Sequence, residues 1–153
     1  THSDLVRGRR VVELGSGTGL VGLVAAALGA EEVVLTDLPS ALPLLRANAA
    51  RNEATHGGRA QVAELPWGGQ VGGSCDLVLG CEIIYQHSEE TSAALVRTMV
   101  ELAGKDGMCL IAYEFRDGML GDIEFFDRAN EEFDVEVISL GQYGYGVPSE
   151  QDD

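Results

Sequence analysis

Arg10-Val11-Val12-Glu13-Leu14 runs directly into Gly15-Ser16-Gly17-Thr18-Gly19-Leu20-Val21-Gly22. The first five residues read as a short buried strand. The glycines that follow let the backbone turn sharply and come close to a ligand before a helix begins. From Leu20 the apolar residues Leu20, Val21, Leu23, Val24, Ala27 and Leu28 fall at helical spacing, and Gly29 stops the run. Asp37 follows about 20 residues after the turn, at the end of the next apolar stretch, where a carboxylate can receive ribose hydroxyls. Gly17-x-Gly19-x-x-Gly22 also fits a dinucleotide fingerprint, so the glycines alone do not separate two nucleotide cofactors. A glycine-rich turn without a ligand is the simpler reading, but strand, glycines and acid all agree on a nucleotide.

The same alternation continues outward. Val33 to Thr36 reads as a second strand. Pro39-Ser40 reads as a helix start, with Leu42, Leu45 and Ala49 on one face. Ala60 to Glu64 is a third strand, followed by turn signals at Gly68-Gly69 and Gly72-Gly73. Asp76 to Cys81 is a fourth strand, and Ser88 to Ala103 is a helix with Leu95, Met99 and Leu102 inward. Met108 to Tyr113 reads as a fifth strand. Ile123, Phe126 and Phe133 mark another helix, and Val135 to Leu140 a sixth strand. Strand and helix alternating in this way predict a doubly wound, mostly parallel sheet in a three-layer α/β/α arrangement, a Rossmann-like single domain over 1–153 with its core at 10–140. Ligands of such sheets bind beyond the carboxyl ends of the strands.

The chain has 153 residues, 45% of them hydrophobic, which suffices for one buried core. Its net charge of −15 disfavours nucleic acid and anionic membranes, which are held through clustered Lys and Arg. Arg7, Arg9 and Arg10 are too few to reverse that balance. No apolar run reaches the ~20 residues of a membrane span, and no charged segment followed by an apolar one opens the chain, so we expect no secretory signal. Cys75, Cys81 and Cys109 form neither a disulfide framework nor a zinc pattern, and His2, His56 and His87 lie far apart. We therefore expect a reducing, cytoplasmic setting, no metal and a monomer.

At the remaining strand ends the residues suit an amine and a flat base. Trp67, the only Trp, follows the third strand in Glu64-Leu65-Pro66-Trp67-Gly68. It would pack against an adenine, or else close the sheet edge. Gly80 and Cys81 are small and leave room for a ligand. Glu82 and Tyr85, three apart, present a carboxylate and a phenol that both accept hydrogen bonds from an amine. Glu82 as an acid at a helix start and Tyr85 as a boundary aromatic are the structural alternatives. Cys81 lacks an activating neighbour and is not read as a nucleophile. Glu114 and Arg116 would line the opening or pair with each other.

Val11-Val12-Glu13-Leu14-Gly15-Ser16-Gly17-Thr18-Gly19-Leu20-Val21-Gly22, Thr36-Asp37-Leu38-Pro39, Asn48 and Asn52, and Leu65-Pro66-Trp67-Gly68 together resemble the methyltransferase-like protein-lysine methyltransferases. These are seven-stranded and S-adenosylmethionine-dependent. Tyr113-Glu114-x-Arg116 is most similar to the branch that methylates valosin-containing protein. The resemblance implies a class I methyltransferase fold and S-adenosylmethionine as cofactor. It places Gly15, Ser16 and Gly17 at the methionine part, with Glu13 supporting the turn. Asp37 would meet the ribose, Trp67 and Leu65 the adenine, and Cys81 would lie against the cofactor. Glu82 stands where the family usually has Asp, and with Tyr85 it would receive the lysine. The implied partner is a protein bearing a target lysine, with chaperones and AAA ATPases as candidates. The family also has a longer N-terminal segment and a seventh strand, so we expect a chain cut short at both ends.

Three other readings compete. A nicotinamide-dependent dehydrogenase would need a catalytic Lys, Tyr-Lys pair or His, and the only Lys is Lys105 in a turn. A small-molecule methyltransferase has the same fold, and a cofactor-binding module could have lost activity.

Overall fold

The computed structural model describes residues 2–70, 72–84, 88–114 and 120–138. Five strands form one sheet: β1 (Arg10–Leu14), β2 (Glu32–Asp37), β3 (Ala60–Glu64), β4 (Leu77–Cys81) and β5 (Met108–Ala112). All neighbours are parallel and the order is β3-β2-β1-β4-β5. The order reverses between β1 and β4, which is where a doubly wound sheet opens its ligand crevice. The helices are α1 (Leu20–Ala27), α2 (Leu42–Arg51), the single turn α3 (Glu53–His56), α4 (Glu89–Ala103) and α5 (Leu120–Glu132).

Alternation along β1 gives each face of the sheet its own core. Val11 joins Val33, Leu35, Leu77, Leu79, Ala25, Ala26, Leu42 and Leu45 under α1 and α2. Val12 and Leu14 join Val78, Leu95, Met99, Leu102, Phe125 and Ala129 under α4 and α5. This is the expected three-layer arrangement. His56, almost completely buried, ties the α2–α3 corner down: one ring nitrogen lies 3.0 Å from the Ala49 carbonyl, and the other accepts the Ala60 N–H.

The inward face of α1 differs from the sequence expectation. Gly22, Ala25 and Ala26 are buried, whereas Leu20, Val24 and Leu28 are 68%, 47% and 45% exposed. The cause is close approach. A Cβ on Gly22 would lie 2.2 Å from Leu35 Cδ2 and 2.7 Å from Glu13 Oε2, so only the small residues of this uniformly apolar helix can meet β2. Helix α2 begins later than Pro39-Ser40 suggests, because Pro43 occupies its first turn, where a missing N–H costs nothing. Helix α4 starts as expected, with Ser88 Oγ accepting the Thr91 N–H.

Of the residues that predict α5, Phe126 and Phe133 pack against the core, but Ile123 does not. Ile123 is 55% exposed, while Asp122, Phe125 and Ala129 point inward. Tyr113 Oη donates to Asp122 Oδ2 at 2.5 Å, which allows a carboxylate on the buried side. The predicted sixth strand is not formed at 135–138. Val137 is 86% exposed and nothing among the described residues pairs with the outer edge of β5. A strand needs a ladder partner, and an apolar, β-branched run alone does not supply one. Ser139 and Leu140 lie outside the described residues. No helix among the described residues is long and apolar enough to cross a membrane.

Candidate active site

The turn after β1 is built from three glycines in the left-handed region: Gly15 (φ 59°), Gly17 (φ 54°) and Gly19 (φ 82°). Other residue types are strained there. Hydrogen bonds fix the turn from below. Ser16 N–H donates to the Thr36 carbonyl at 2.9 Å, and the Thr36 and Ser16 hydroxyls both donate to the Glu13 carbonyl. Gly22 N–H, one of the orphan donors in the first turn of α1, is taken by Glu13 Oε2 at 3.1 Å.

Asp37 ends β2 opposite this turn. Its Oδ2 accepts the Gly17 N–H at 2.7 Å and its Oδ1 accepts the Leu38 N–H at 2.7 Å. Each oxygen has a further lone pair, so the carboxylate is oriented by the backbone and still open to two hydroxyl donors. Leu65 follows β3, and its N–H donates to the Asp37 carbonyl. Trp67 comes next, with its ring edge 3.8 Å from where a Gly15 Cβ would stand.

These residues enclose a cavity of about 700 Å³, the size of a small-molecule site. Gly15, Gly17 and Asp37 form one wall. Leu65, Pro66 and Trp67 form another, Cys81 and Glu82 a third, and Glu90, Thr91 and Ala94 of α4 close it. A Cβ on Gly17 would meet nothing within 4 Å, so the turn presents bare backbone to the hollow. Three carboxylates line it, those of Asp37, Glu82 and Glu90, and no Lys or Arg among the described residues does.

Glu82 follows β4 in a conformation that few side chains adopt, with φ 54°. Its N–H donates to the Ala112 carbonyl, and its Oε1 accepts the Glu114 N–H at 2.8 Å, so it joins the ends of β4 and β5. Strain held at such a place is often part of a working site. It is not an acid at a helix start, since α4 begins at Glu89. A Cβ on Gly80 would lie 2.4 Å from Ile83 Cδ1 and 2.9 Å from Ile111 Cδ1, so a larger residue there would displace both side-chain ends.

Of the residues singled out from sequence, Gly15, Gly17, Asp37, Leu65, Trp67, Cys81 and Glu82 therefore share one cavity. Glu13 and Ser16 are buried beneath the turn and do not line it. Tyr85 and Arg116 lie outside the described residues. The sequence reading missed the contribution of α4. Thr91, Ala94 and Thr98 are spaced as one helical stripe, and that spacing of small residues was the available signal.

Glu13 carries a testable electrostatic signature. Burial, with a smaller contribution from the Asp37 charge, pushes its carboxyl from the ordinary 4.5 up to about 7, against hydrogen bonds from Ser16 and Gly22 that pull it down. Between 4.5 and about 7 the folded protein holds a proton that the unfolded chain has released. Stability contributed by this group is therefore full below that window and declines as pH rises through it. The loss should be about 3 kcal/mol. Melting curves between about pH 5 and about pH 8 should show a fall that Glu13→Gln largely removes. Identical pH slopes in both proteins would contradict the assignment.

A doubly wound sheet whose switch point carries a glycine turn, an acid at the end of the next strand and a cofactor-sized cavity defines a nucleotide-cofactor domain. The chain belongs to the lysine methyltransferase family, which it matches over residues 1–132. It is similar to protein N-lysine methyltransferase METTL21A of Danio rerio, with 40% identity over 138 residues, 87% of this chain and 61% of that protein. It is also similar to EEF1A lysine methyltransferase 3 of Mus musculus, with 42% identity over 72% of this chain and 47% of that protein. The chain thus spans about half to three-fifths of the length of these curated relatives.

Solved methyltransferases share the fold. The O-methyltransferase NcsB1 of neocarzinostatin biosynthesis, in complex with S-adenosylmethionine and a naphthoic acid, superposes with TM-score 0.64 and 19% identity, over 94% of this chain and 42% of that one. The glycopeptide N-methyltransferase MtfA complexed with sinefungin gives TM-score 0.64 and 20% identity, over 72% and 49%.

Proposed function

We propose that the protein transfers a methyl group from S-adenosylmethionine to the ε-amine of a lysine in a protein substrate. The observation that carries this is the cavity of about 700 Å³ at the β1–β4 switch point, walled by the glycine turn, Asp37 and Trp67, in a chain of the lysine methyltransferase family. The residues fit the cofactor. Asp37 has acceptor capacity for two ribose hydroxyls, the bare turn admits the methionine part, and Trp67 offers an apolar face to the adenine. When bound, S-adenosylmethionine would supply an electrophilic methyl from its sulfonium to the amine nitrogen, with the neutral thioether S-adenosylhomocysteine as the leaving group. Three carboxylates without a lining Lys or Arg among the described residues favour both the sulfonium and an approaching ammonium.

Glu82 orients the amine, and loss of the ammonium proton to solvent frees the lone pair for the transfer. Tyr85 is assigned to the lysine stem on sequence spacing alone. Glu13 and Ser16 act through the turn. The net charge of −15 suits a basic, lysine-bearing partner. Tyr113-Glu114-x-Arg116 favours the valosin-containing-protein branch, and with it a chaperone or AAA ATPase as substrate. Three free cysteines suit a cytoplasmic protein, and we take it to act as a monomer.

Incubating a cell lysate with the purified protein and methyl-labelled S-adenosylmethionine tests this reading. Label should enter a discrete protein band, with mass spectrometry placing it on a lysine. Label confined to small molecules would favour the small-molecule alternative. Trp67, the only Trp, gives an independent readout: its emission should change as S-adenosylhomocysteine saturates the protein. An unchanged spectrum at saturation would reduce Trp67 to a closure of the sheet edge.

A further inference from the structure

We propose that Thr98, in the middle of α4, is a positioning residue for the adenine side of the cavity. This deepens the cofactor reading above and rests on it. Among the described residues, the loop carrying Trp67 has no strand partner after Leu65. A hydrogen bond holds it to α4. Gly68 N–H donates to Thr98 Oγ1 at 2.7 Å, and the same hydroxyl donates to the Ala94 carbonyl at 2.9 Å. Thr98 is fully buried, so its one donor and this acceptor role are satisfied inside the protein. The bond sets the height of the residue next to Trp67, and hence of the ring that walls the cavity.

Packing around this bond is tight on both sides. Gly68 has φ 79°, and a Cβ on it would stand 2.8 Å from Arg97 Nη2 and 3.3 Å from Ala94 Cβ. A glycine facing an alanine therefore lets the loop come down far enough for its N–H to reach the hydroxyl. Thr91 and Ala94 line the cavity directly, and Thr98 lies one turn further along the same stripe. One face of α4 thus forms the wall and fixes the loop that closes it.

Thr98→Val keeps the branched shape, removes the hydroxyl and leaves the Gly68 N–H without its buried acceptor. S-adenosylhomocysteine affinity, and KM for S-adenosylmethionine, should weaken roughly five- to tenfold while kcat at saturating cofactor stays near wild type. Trp67 emission in the unliganded protein should shift, because its loop is released. Thr98→Ser restores the hydroxyl and should return affinity and emission to near wild type. A purely structural role would lower the melting temperature without separating KM from kcat. If Thr98→Val does not fold, Gly68→Ala disturbs the same contact from the loop side and should weaken affinity similarly. Wild-type affinity and emission in Thr98→Val, or in Gly68→Ala when Thr98→Val does not fold, would overturn the proposal, as would failure of Thr98→Ser to rescue. Absence of S-adenosylhomocysteine binding by the unsubstituted protein would instead refute the cofactor reading itself.

Discussion

Asp37→Ala should weaken S-adenosylhomocysteine binding by at least about tenfold. A bidentate contact between a carboxylate and two ribose hydroxyls contributes roughly 1.5–3 kcal/mol. The structure adds a second loss. Asp37 Oδ2 is the acceptor for the Gly17 N–H, so alanine also releases the glycine turn on the same wall. Asp37→Asn keeps one oxygen acceptor and should fall between wild type and alanine. Calorimetric titration of the three proteins measures the effect. Wild-type affinity in Asp37→Ala would remove the ribose assignment.

Glu82→Gln should lower the methylation rate by roughly tenfold or more and leave cofactor affinity nearly unchanged, because the amine arrives only with substrate. The geometry makes this substitution informative. Glutamine keeps an oxygen that can accept the Glu114 N–H, so the link between the ends of β4 and β5 survives while the charge is lost. If Glu82 only joined the two strands, Glu82→Gln would turn over normally. Glu82→Asp, which keeps the charge on a shorter arm, should retain much of the activity. Rate and melting temperature measured on both variants decide the matter, and a Gln variant with normal turnover would sink the catalytic assignment.

The first strand, the glycine turn and Asp37 were legible because their constraints are local: left-handed glycines, an apolar run and a spacing of about 20 residues all lie within one stretch of chain. Trp67 and Glu82 were legible as strand-end residues once the parallel topology was inferred. What the sequence concealed depended on neighbours. The inner face of α1 could not be read from apolar periodicity, since nearly every residue of that helix is apolar and the Gly22 contact with Leu35 decides its rotation. Asp122 was passed over because a buried carboxylate makes sense only once Tyr113 is known to reach it. The stripe of Thr91, Ala94 and Thr98 read as an unremarked side of α4, because the loop that it receives comes from more than twenty residues earlier. Val135 to Ile138 are rich in β-branched residues as a strand would be, yet pairing depends on an edge elsewhere in the sheet.

Whether the cavity between the ends of β1 and β4 takes S-adenosylmethionine is tested most directly by calorimetric titration of the protein with S-adenosylhomocysteine and, separately, with NAD. Saturable binding of S-adenosylhomocysteine at one site per chain, with no comparable binding of NAD, is the predicted result. Preference for NAD, or no binding of S-adenosylhomocysteine, would contradict it.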